Sequence, residues 1–507
     1  MAMLARVSSA AILGLEAVGI DIEVDVSNQG LPSFTIVGLA DKAVEEAKER
    51  VRSAIKNSGL DFPSHRIIVN LAPADIPKMG TFYDLPIALG ILRASGQIKT
   101  NLSGLFLGEL SLSGDLRRVN GCLSAAILAK ESRIKELFVP FDNSVEVAII
   151  RDLVVYPLKK LRELLLHFSE VKLIKPFVFN RKILFQKQEI DFDFKDINGQ
   201  SQAKRALEIA AAGGHNLFFY GPPGSGKTLL ARALPGIMPT MTEKEVLEVT
   251  KIYSVSGNLE KGLVSLRPFR SPHHSVSQVG LIGGGSFPLP GEVSLAHRGA
   301  LFLDELPEFP RHVLEALRQP VEDGFVSIAR SRGRFSYPAQ FTLVAASNPC
   351  PCGFLGDSKK VCRCSSTEIS RYQKRLSGPL MDRIDIHVEV PAVPITKLIQ
   401  KENGESSSKV RLKVEEARKK QHQRFVGTRL GSNAEMGSKE VKRFCRMENQ
   451  SWSMLSSASE TMALSARGFY RTIKVAQTIA DLANREIISQ NDLAEALSFR
   501  SQKLGDM

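Results

Sequence analysis

No stretch of this 507-residue chain stays apolar for the roughly 18 residues that a membrane span requires. A membrane-spanning role is therefore not expected. Val7–Leu15, after Arg6, has the apolar run of an export signal. It lacks a small-residue cleavage site and runs straight into strand-like alternation, so no signal peptide is expected. Cysteine is scarce. There are six, and four are clustered, which does not suit a secreted disulfide framework. The expected compartment is the cytoplasm. There is no short internal repeat, which sets repeat arrays aside. Acidic residues are in deficit: 54 against 67 basic ones, a formal charge of +13. Summed positive potential attracts phosphate backbones, so a polyanionic partner is indicated, although a merely basic protein would carry the same balance. The 43% hydrophobic and 24% charged content suits sizeable cores, and the length suggests about two to four domains.

Residues 1–168 form one compositional block. Ile20–Val26 alternates apolar and acidic residues, as a strand with one buried face does. Phe34–Gly38 and Arg66–Asn70 read as further strands, Lys42–Ser58 as an amphipathic helix, and Leu85–Leu92 as the start of an apolar helix. The block is α+β and contains no phosphate loop. A charged, Phe-rich stretch over 169–193 reads as a linker. Residues 194–393 alternate strands (Leu217–Tyr220, Ala300–Leu303, Phe341–Ala346, Ile384–Val390) with helices. That order predicts an α/β domain on a parallel sheet. Residues 394–507 are polar and helical. They begin with the basic helix Lys409–Phe425, whose Arg418–Arg424 reads as a solvated face, and continue as a bundle.

The decisive motif is Gly221-Pro222-Pro223-Gly224-Ser225-Gly226-Lys227-Thr228, set between an apolar strand and a helix. In that context glycines turn backbone N–H groups toward a polyphosphate, and the helix N-terminus adds positive potential. Lys227 is placed for the β- and γ-phosphates and Thr228 for Mg²⁺. ATP and Mg²⁺ are the expected cofactors. Leu301–Glu305 is an apolar strand ending in two acids. Asp304 suits Mg²⁺ and Glu305 suits activation of a water. Alone this signal is weak; about seventy-five residues after the phosphate loop it is strong. Asn348 closes the strand Phe341–Ala346, where it could meet a γ-phosphate or only end a strand. Arg383 precedes another strand, and Arg467 opens a late helix, where a surface ion pair is the plainer reading.

Cys350-Pro-Cys352 and Cys362-Arg-Cys364 place four thiols in one excursion. Four thiolates make a tetrahedral structural Zn²⁺ site; a redox-reactive cluster or four unligated thiols are the alternatives. His273-His274 lacks a third ligand and reads as a turn or a nucleic-acid-facing pair. Val326–Pro338 reads as strand, Arg/Gly turn, strand, with Arg330, Arg332 and Arg334 around the tip. Gly280–Phe287 reads as a second, mobile loop. Three arginines with an exposed Phe287 suit tracking of a DNA strand, against a plain charged turn.

In this order the elements resemble the AAA+ ATPases of the helix-2-insert branch. Arg270-Ser-Pro-His-His274, Gly291–Gly299, Glu315–Pro320, Asn348–Gly353, Asn70–Asp75 and Tyr83–Ala88 resemble the YifB/ComM family of magnesium-chelatase-like proteins over nearly the whole chain. The resemblance implies an AAA+ P-loop NTPase core with a C-terminal helical lid. It implies Ile197 against the adenine, Asn348 as sensor 1, Arg383 as an arginine finger acting in trans and Arg467 as sensor 2. It further implies a homo-hexameric ring, the Arg330–Arg334 hairpin in its pore, and ATP-driven branch migration on single-stranded or branched DNA. The N-terminal block resembles the Lon-protease fold. Asp84 falls where that family's nucleophilic serine would be, and Gly114–Ala126 offers no lysine, so the resemblance is to a degenerate, non-proteolytic copy. Two other functions fit the same residues: a chelatase-type motor remodelling a protein partner, and an ATP-regulated DNA-binding module.

Overall fold

The alternation at Ile20–Val26 is the inner half of a longer strand, Glu16–Ser27, with Ile20, Ile22, Val24 and Val26 buried and the residues between them half-buried. The computed structural model describes residues 4–27, 29–181, 192–260, 262–285, 288–330, 333–356, 360–376, 378–393 and 404–500. They fall into two compact units, Met1–Gln186 with Glu243–Ser265, and Lys187–Thr242 with Leu266–Met507.

In the first unit Glu16–Ser27 pairs antiparallel with Ala5–Leu13 on one side and Arg66–Ala72 on the other. The sheet has seven strands in the order Ser33–Val37, Arg66–Ala72, Glu16–Ser27, Ala5–Leu13, Leu105–Phe106, Glu136–Pro140, Val154–Leu158. Helix Asp84–Ala94 is buried along almost its whole length, as its continuous apolar sequence requires. The helix expected over Lys42–Ser58 divides into Lys42–Glu45 and Ala47–Asn57. At the break the Glu49 N–H bonds back only three residues, to the Glu46 carbonyl, the tighter spacing of a 3₁₀ turn. The stretch read as a linker begins on the sheet edge, where the Phe177 N–H donates to the Val155 carbonyl.

Residues 243–265, which the sequence reading placed inside the 194–393 block, pack in this first unit. Helix Glu243–Ser256 lies against helix Cys122–Glu131. The Gly121 N–H donates to both the carbonyl and the hydroxyl of Ser254. Buried Glu146 hydrogen-bonds Ser254 and Asn143.

The second unit is built on a five-stranded sheet, ordered Phe269–Arg270, Ala300–Leu303, Thr342–Ser347, Leu217–Tyr220, Ile386–Glu389. Every adjacent pair is parallel. Parallel strands need crossovers and are covered on both faces, which matches the unbroken apolar runs at Leu217–Phe219 and Ala300–Leu303. Helices Ser407–Arg424 and Ala466–Leu482 share one hydrophobic core with this sheet, Val410, Val414, Ile473 and Val475 joining Phe219 and Val344. The strands' carboxyl ends bring Tyr220, Leu303 and Ser347 to one edge, and the residues that follow them form the site.

Candidate active site

Strand Leu217–Tyr220 runs into the glycine loop, and helix Lys227–Ile237 leaves it. Gly224 and Gly226 have φ of +75° and +93°, backbone that a β-carbon disfavours. Gly221 is required for a different reason: a β-carbon there would sit 2.1 Å from the Val390 carbonyl oxygen. Ser225 is buried, while Pro223, Gly224 and Thr228 are exposed at the loop mouth and Pro222 is half-buried. Ile197 is buried in the hydrophobic core of this unit. Gln200 follows it, and its side-chain amide donates to the Ser225 and Pro391 carbonyls at 3.2 and 2.7 Å. One side chain thus ties the segment expected to meet the base to the phosphate loop.

Lys227 Nζ donates to the carbonyls of Gly221 and Pro222, at 2.7 and 2.9 Å, and to Asn348 Oδ1 at 3.2 Å. Burial pulls the ammonium below the usual lysine range, against the opposing pull of Asp304 and Glu305. A cation held by neutral acceptors in a half-dry loop retains unspent charge for a phosphate. Thr228 Oγ1 donates to Asp304 Oδ2 at 2.8 Å. The two groups suited to Mg²⁺, a hydroxyl from the first turn of the helix and a carboxylate just past strand Ala300–Leu303, are therefore in contact before any metal arrives.

Glu305 has left-handed backbone (φ +50°), unusual for a residue with a β-carbon. Its N–H donates to Asp304 Oδ1 at 3.0 Å, and its carboxylate stands 3.8 Å from His274 Nδ1. The His274 ring lies tilted against that of His273, with 4.0 Å between ring centroids, and meets Phe309 edge-on. The histidine pair, read from sequence as a turn or a nucleic-acid contact, includes one ring facing the expected catalytic carboxylate. Upstream of that pair, Arg270 makes a two-point ion pair with Glu292, at 2.6 and 2.7 Å. Two motifs twenty-two residues apart thus act as one brace.

Arg383 is almost fully buried, its Nη2 2.6 Å from Glu322 Oε1. Arg467 reaches the same oxygen at 3.6 Å. Two residues on, buried Asp385 accepts from Arg471 at 2.7 Å and from the Asn216 N–H at 3.1 Å. Burial alone would raise this carboxyl; Arg471, with His215 and Lys474, instead holds it well below the usual carboxylate range. His215 also pairs with Thr478. The helix that carries Arg467 is thus bolted to the strand that follows Arg383.

The four clustered thiols do converge. Cys350 Sγ lies 3.4 Å from Cys352 and 3.6 Å from Cys362, Cys352 lies 3.6 Å from Cys362, and all four sulfurs, Cys364 included, fit within 4.8 Å of one another. A tetrahedral zinc tetrathiolate has S–S edges of about 3.8 Å, from Zn–S bonds of about 2.3 Å. The Phe354 and Arg363 N–H groups donate to Cys352 and pull its thiol down to about 6. Further N–H groups, those of Cys364 and Cys352, point at the sulfurs of Cys362 and Cys364. Backbone donors aimed at sulfur are the outer shell of a thiolate metal site.

The basic hairpin is present, Phe325–Arg330 antiparallel to Gly333–Pro338, with Arg330 opposite Gly333 and Ala329 opposite Arg334. Arg334 is exposed. Arg332, Phe287 and the Arg330 side chain lie outside the described residues. Where the sequence suggests a mobile loop at Gly280–Phe287, the described residues hold ordered elements: Ser277 caps a short helix, Gln278–Ile282, and Gly283–Gly284 pairs with Leu289–Pro290. At Gly283 a β-carbon would sit 2.5 Å from the Leu289 carbonyl oxygen, so this approach needs that position free of a side chain. The two hairpins are joined: the buried Tyr337 hydroxyl donates to the Pro288 carbonyl at 2.6 Å.

Three family profiles match this chain: "Magnesium chelatase, subunit ChlI" over residues 193–398, "Subunit ChlI of Mg-chelatase" over 22–143, and "Magnesium chelatase, subunit ChlI C-terminal" over 404–500. Competence protein ComM of Haemophilus influenzae is 44% identical over 99% of this chain and 100% of its own length. The YifB protein of Escherichia coli is 42% identical over 98% and 97%. The chain belongs to the YifB/ComM family of magnesium-chelatase-like AAA+ proteins. Membership in this family implies ATP hydrolysis with Mg²⁺, which agrees with the contacts of Lys227, Thr228 and Asp304. A partial similarity, 30% identity over 26% of this chain, reaches Lon protease 2 of Bacillus subtilis. At the position read as that family's nucleophile, Asp84 is fully buried and held by Arg50 through two hydrogen bonds, at 2.7 and 3.0 Å. Among the described residues no helix is long and apolar enough to cross a membrane.

The sequence reading missed Gln200, Glu322, Asp385 and the His274–Glu305 approach. Glu322 belongs to no motif, and Gln200 and Asp385 stand at the ends of segments read for Ile197 and Arg383. The order Asp196–Gln200 before a phosphate loop was the only available hint of Gln200.

Proposed function

We propose that this chain is an ATP-driven, ring-forming DNA motor that migrates branched DNA in recombination or in the integration of transforming DNA. The observation that carries it is the pairing of a complete phosphate-loop site with an arginine hairpin docked through Tyr337 onto a second loop. The name of the Haemophilus relative, a competence protein, supports the same reading. Lys227 and the loop amides would hold the phosphates of ATP, and Thr228 and Asp304 the Mg²⁺. The bound metal would neutralise charge on the phosphates, while Glu305 orients and deprotonates the attacking water. Asn348 stands beside Lys227 as the γ-phosphate sensor. Arg383 serves a neighbouring subunit of a homo-hexamer once its ion pair with Glu322 opens, and Arg467 reports on nucleotide through the same carboxylate. The four cysteines hold a structural Zn²⁺. The first unit, with a buried ion pair where a protease would need a nucleophile, is non-proteolytic. The setting is the cytoplasm.

The chelatase names of the family profiles favour a second reading, a motor that remodels a protein partner. ATP-dependent unwinding of forked and four-way DNA separates the two. The parent chain should unwind four-way junctions and Lys227→Ala should not. ATPase stimulation by a protein partner alone, with no response to any DNA, would overturn the DNA motor.

A further inference from the structure

The thiol cluster stands beside the ATP site and is wedged against it. Cys350 follows Asn348 by two residues, and Gly353 turns the chain at φ +83° onto the phosphate loop. A β-carbon at Gly353 would meet Pro223 Cδ at 2.6 Å and Cγ at 3.0 Å, with Asn348 Cγ in ordinary contact at 3.8 Å. Asn348 is itself held from both sides. Its amide oxygen accepts from Lys227. The buried Tyr372 hydroxyl sits beside Ser347 and the Asn348 backbone, and the Ser347 hydroxyl donates to the Asn348 carbonyl at 2.8 Å. Tyr372 belongs to helix Ser366–Lys374, which starts directly after Cys364 and is fixed there by a Ser365–Glu368 capping box. The excursion therefore leaves Asn348, passes two cysteines, returns through two more, and comes back to Asn348 through Tyr372.

We propose that a single Zn²⁺ bound by Cys350, Cys352, Cys362 and Cys364 acts as a clamp that positions Pro223 of the phosphate loop and Asn348, so that metal loading sets nucleotide affinity and turnover. This rests on the zinc reading above and goes beyond a structural metal. The physical reason is loop closure. The cross-link joins residues ten to fourteen apart in sequence and removes the freedom of the intervening chain, as any closed loop does. Without it, the segment that carries Gly353 past Pro223 is held by packing alone, with its two ends free to separate. Misplacement of a reacting or positioning group by about 1 Å costs on the order of a hundredfold in rate. The four cysteines, Gly353 and Tyr372 are positioning residues here; none of them needs to touch the nucleotide.

The test uses the full chain. Elemental analysis of the purified protein should give close to one zinc per chain. Binding of a fluorescent, non-hydrolysable ATP analogue is then measured before zinc is released with an organomercurial and a chelator, after release, and after the mercurial is reversed with thiol and Zn²⁺ is returned. Affinity should fall about tenfold on release and recover on return, with circular dichroism unchanged; the magnitude follows from a positional error of less than 1 Å. Gly353→Ala keeps all four thiols. It should retain zinc yet lose analogue affinity and turnover in the same direction. If Gly353→Ala carries zinc and matches the parent in both, or if zinc-free parent binds the analogue unchanged, the clamp is refuted while the zinc site stands. Protein with no metal, or with iron in its place, refutes the zinc site itself. Loss of folded signal on zinc release, with Gly353→Ala normal, reduces the metal to a stabiliser and also refutes the clamp.

Discussion

Glu305 combines strained backbone with an exposed carboxylate beside His274, an arrangement for a group that works rather than one that stabilises. Glu305→Gln should keep nucleotide binding and lower hydrolysis by about a hundredfold or more, the usual weight of a general base. Analogue binding and steady-state ATPase rates check this together; hydrolysis at the parent rate would show that another group activates the water. Asp385 illustrates the opposite kind of residue. It is buried, accepts from Arg471, and touches no expected ligand. Removing one partner of a buried ion pair costs about 3–5 kcal/mol. Asp385→Ala should therefore lower the chemical-denaturation midpoint sharply, with Arg471 left uncompensated. A midpoint within error of the parent would mean that water replaces the lost carboxylate. Lys227, Thr228, Asp304 and Glu305 were legible as sequence because phosphate chemistry demands those residue types at those offsets. Asp385 and Glu322 were not, because their partners arrive from 86 and 61 residues away and leave no spacing to read.

At the scale of elements, strands Leu217–Tyr220 and Ala300–Leu303 stood out because strands buried on both faces must be apolar throughout. The hairpin over Val326–Pro338 was equally plain, since a short Arg/Gly turn joins two strand-like runs. What stayed hidden was its docking. Nothing in the sequence singles out Tyr337, and only the folded chain puts its hydroxyl on Pro288. Changing Arg330, Arg332 and Arg334 together to Ala should weaken DNA affinity and flatten its log–log dependence on salt, because each lost phosphate contact releases fewer counterions. Basal ATPase activity should persist, as these residues stand far from the phosphate loop in sequence and their hairpin pairs as a two-stranded sheet of its own. A filter-binding salt series with an ATPase control is sufficient. An unchanged slope in a folded protein would make the hairpin a charged turn.

The whole second unit carries a latent acid sensitivity. Burial, reinforced by Arg500, pushes His387 down to about 4, and burial lowers His215 as well despite Asp385. In the unfolded chain both titrate near 6.5. Below that pH the unfolded state takes up protons that the folded state refuses, so stability falls as pH drops from about 6.5 toward 4 and is fully present above 6.5. His387 alone accounts for up to about 3 kcal/mol of this. Asp385 works in another window, its contribution being lost only in far stronger acid. The melting transition of the second unit should move down steadily between pH 6.5 and 4.5, while buried Asp84, raised to about 6, works in the opposite direction in the first unit; His387→Phe, which keeps a ring against Phe218, should shallow the decline. A flat profile in the parent would show that the imidazoles protonate in place.

The excursion of residues 243–265 into the first unit has a consequence for biogenesis. The polypeptide crosses between the units at 186/187, 242/243 and 265/266. The first unit is therefore not finished when the ribosome has made its first 186 residues. Val246, Val249 and Ile252 belong to its interior and are translated only after the phosphate loop. Until then helix Cys122–Glu131 waits with an uncovered face. A nascent chain arrested near residue 190 should remain protease-sensitive, and one arrested once residue 265 has cleared the exit tunnel should become resistant. Equal resistance at both lengths would mean that the first unit folds without its late helix. The same order of synthesis means that neither unit can be excised at a single cut: a fragment ending at 186 lacks part of its core, and one beginning at 187 carries that part unclothed.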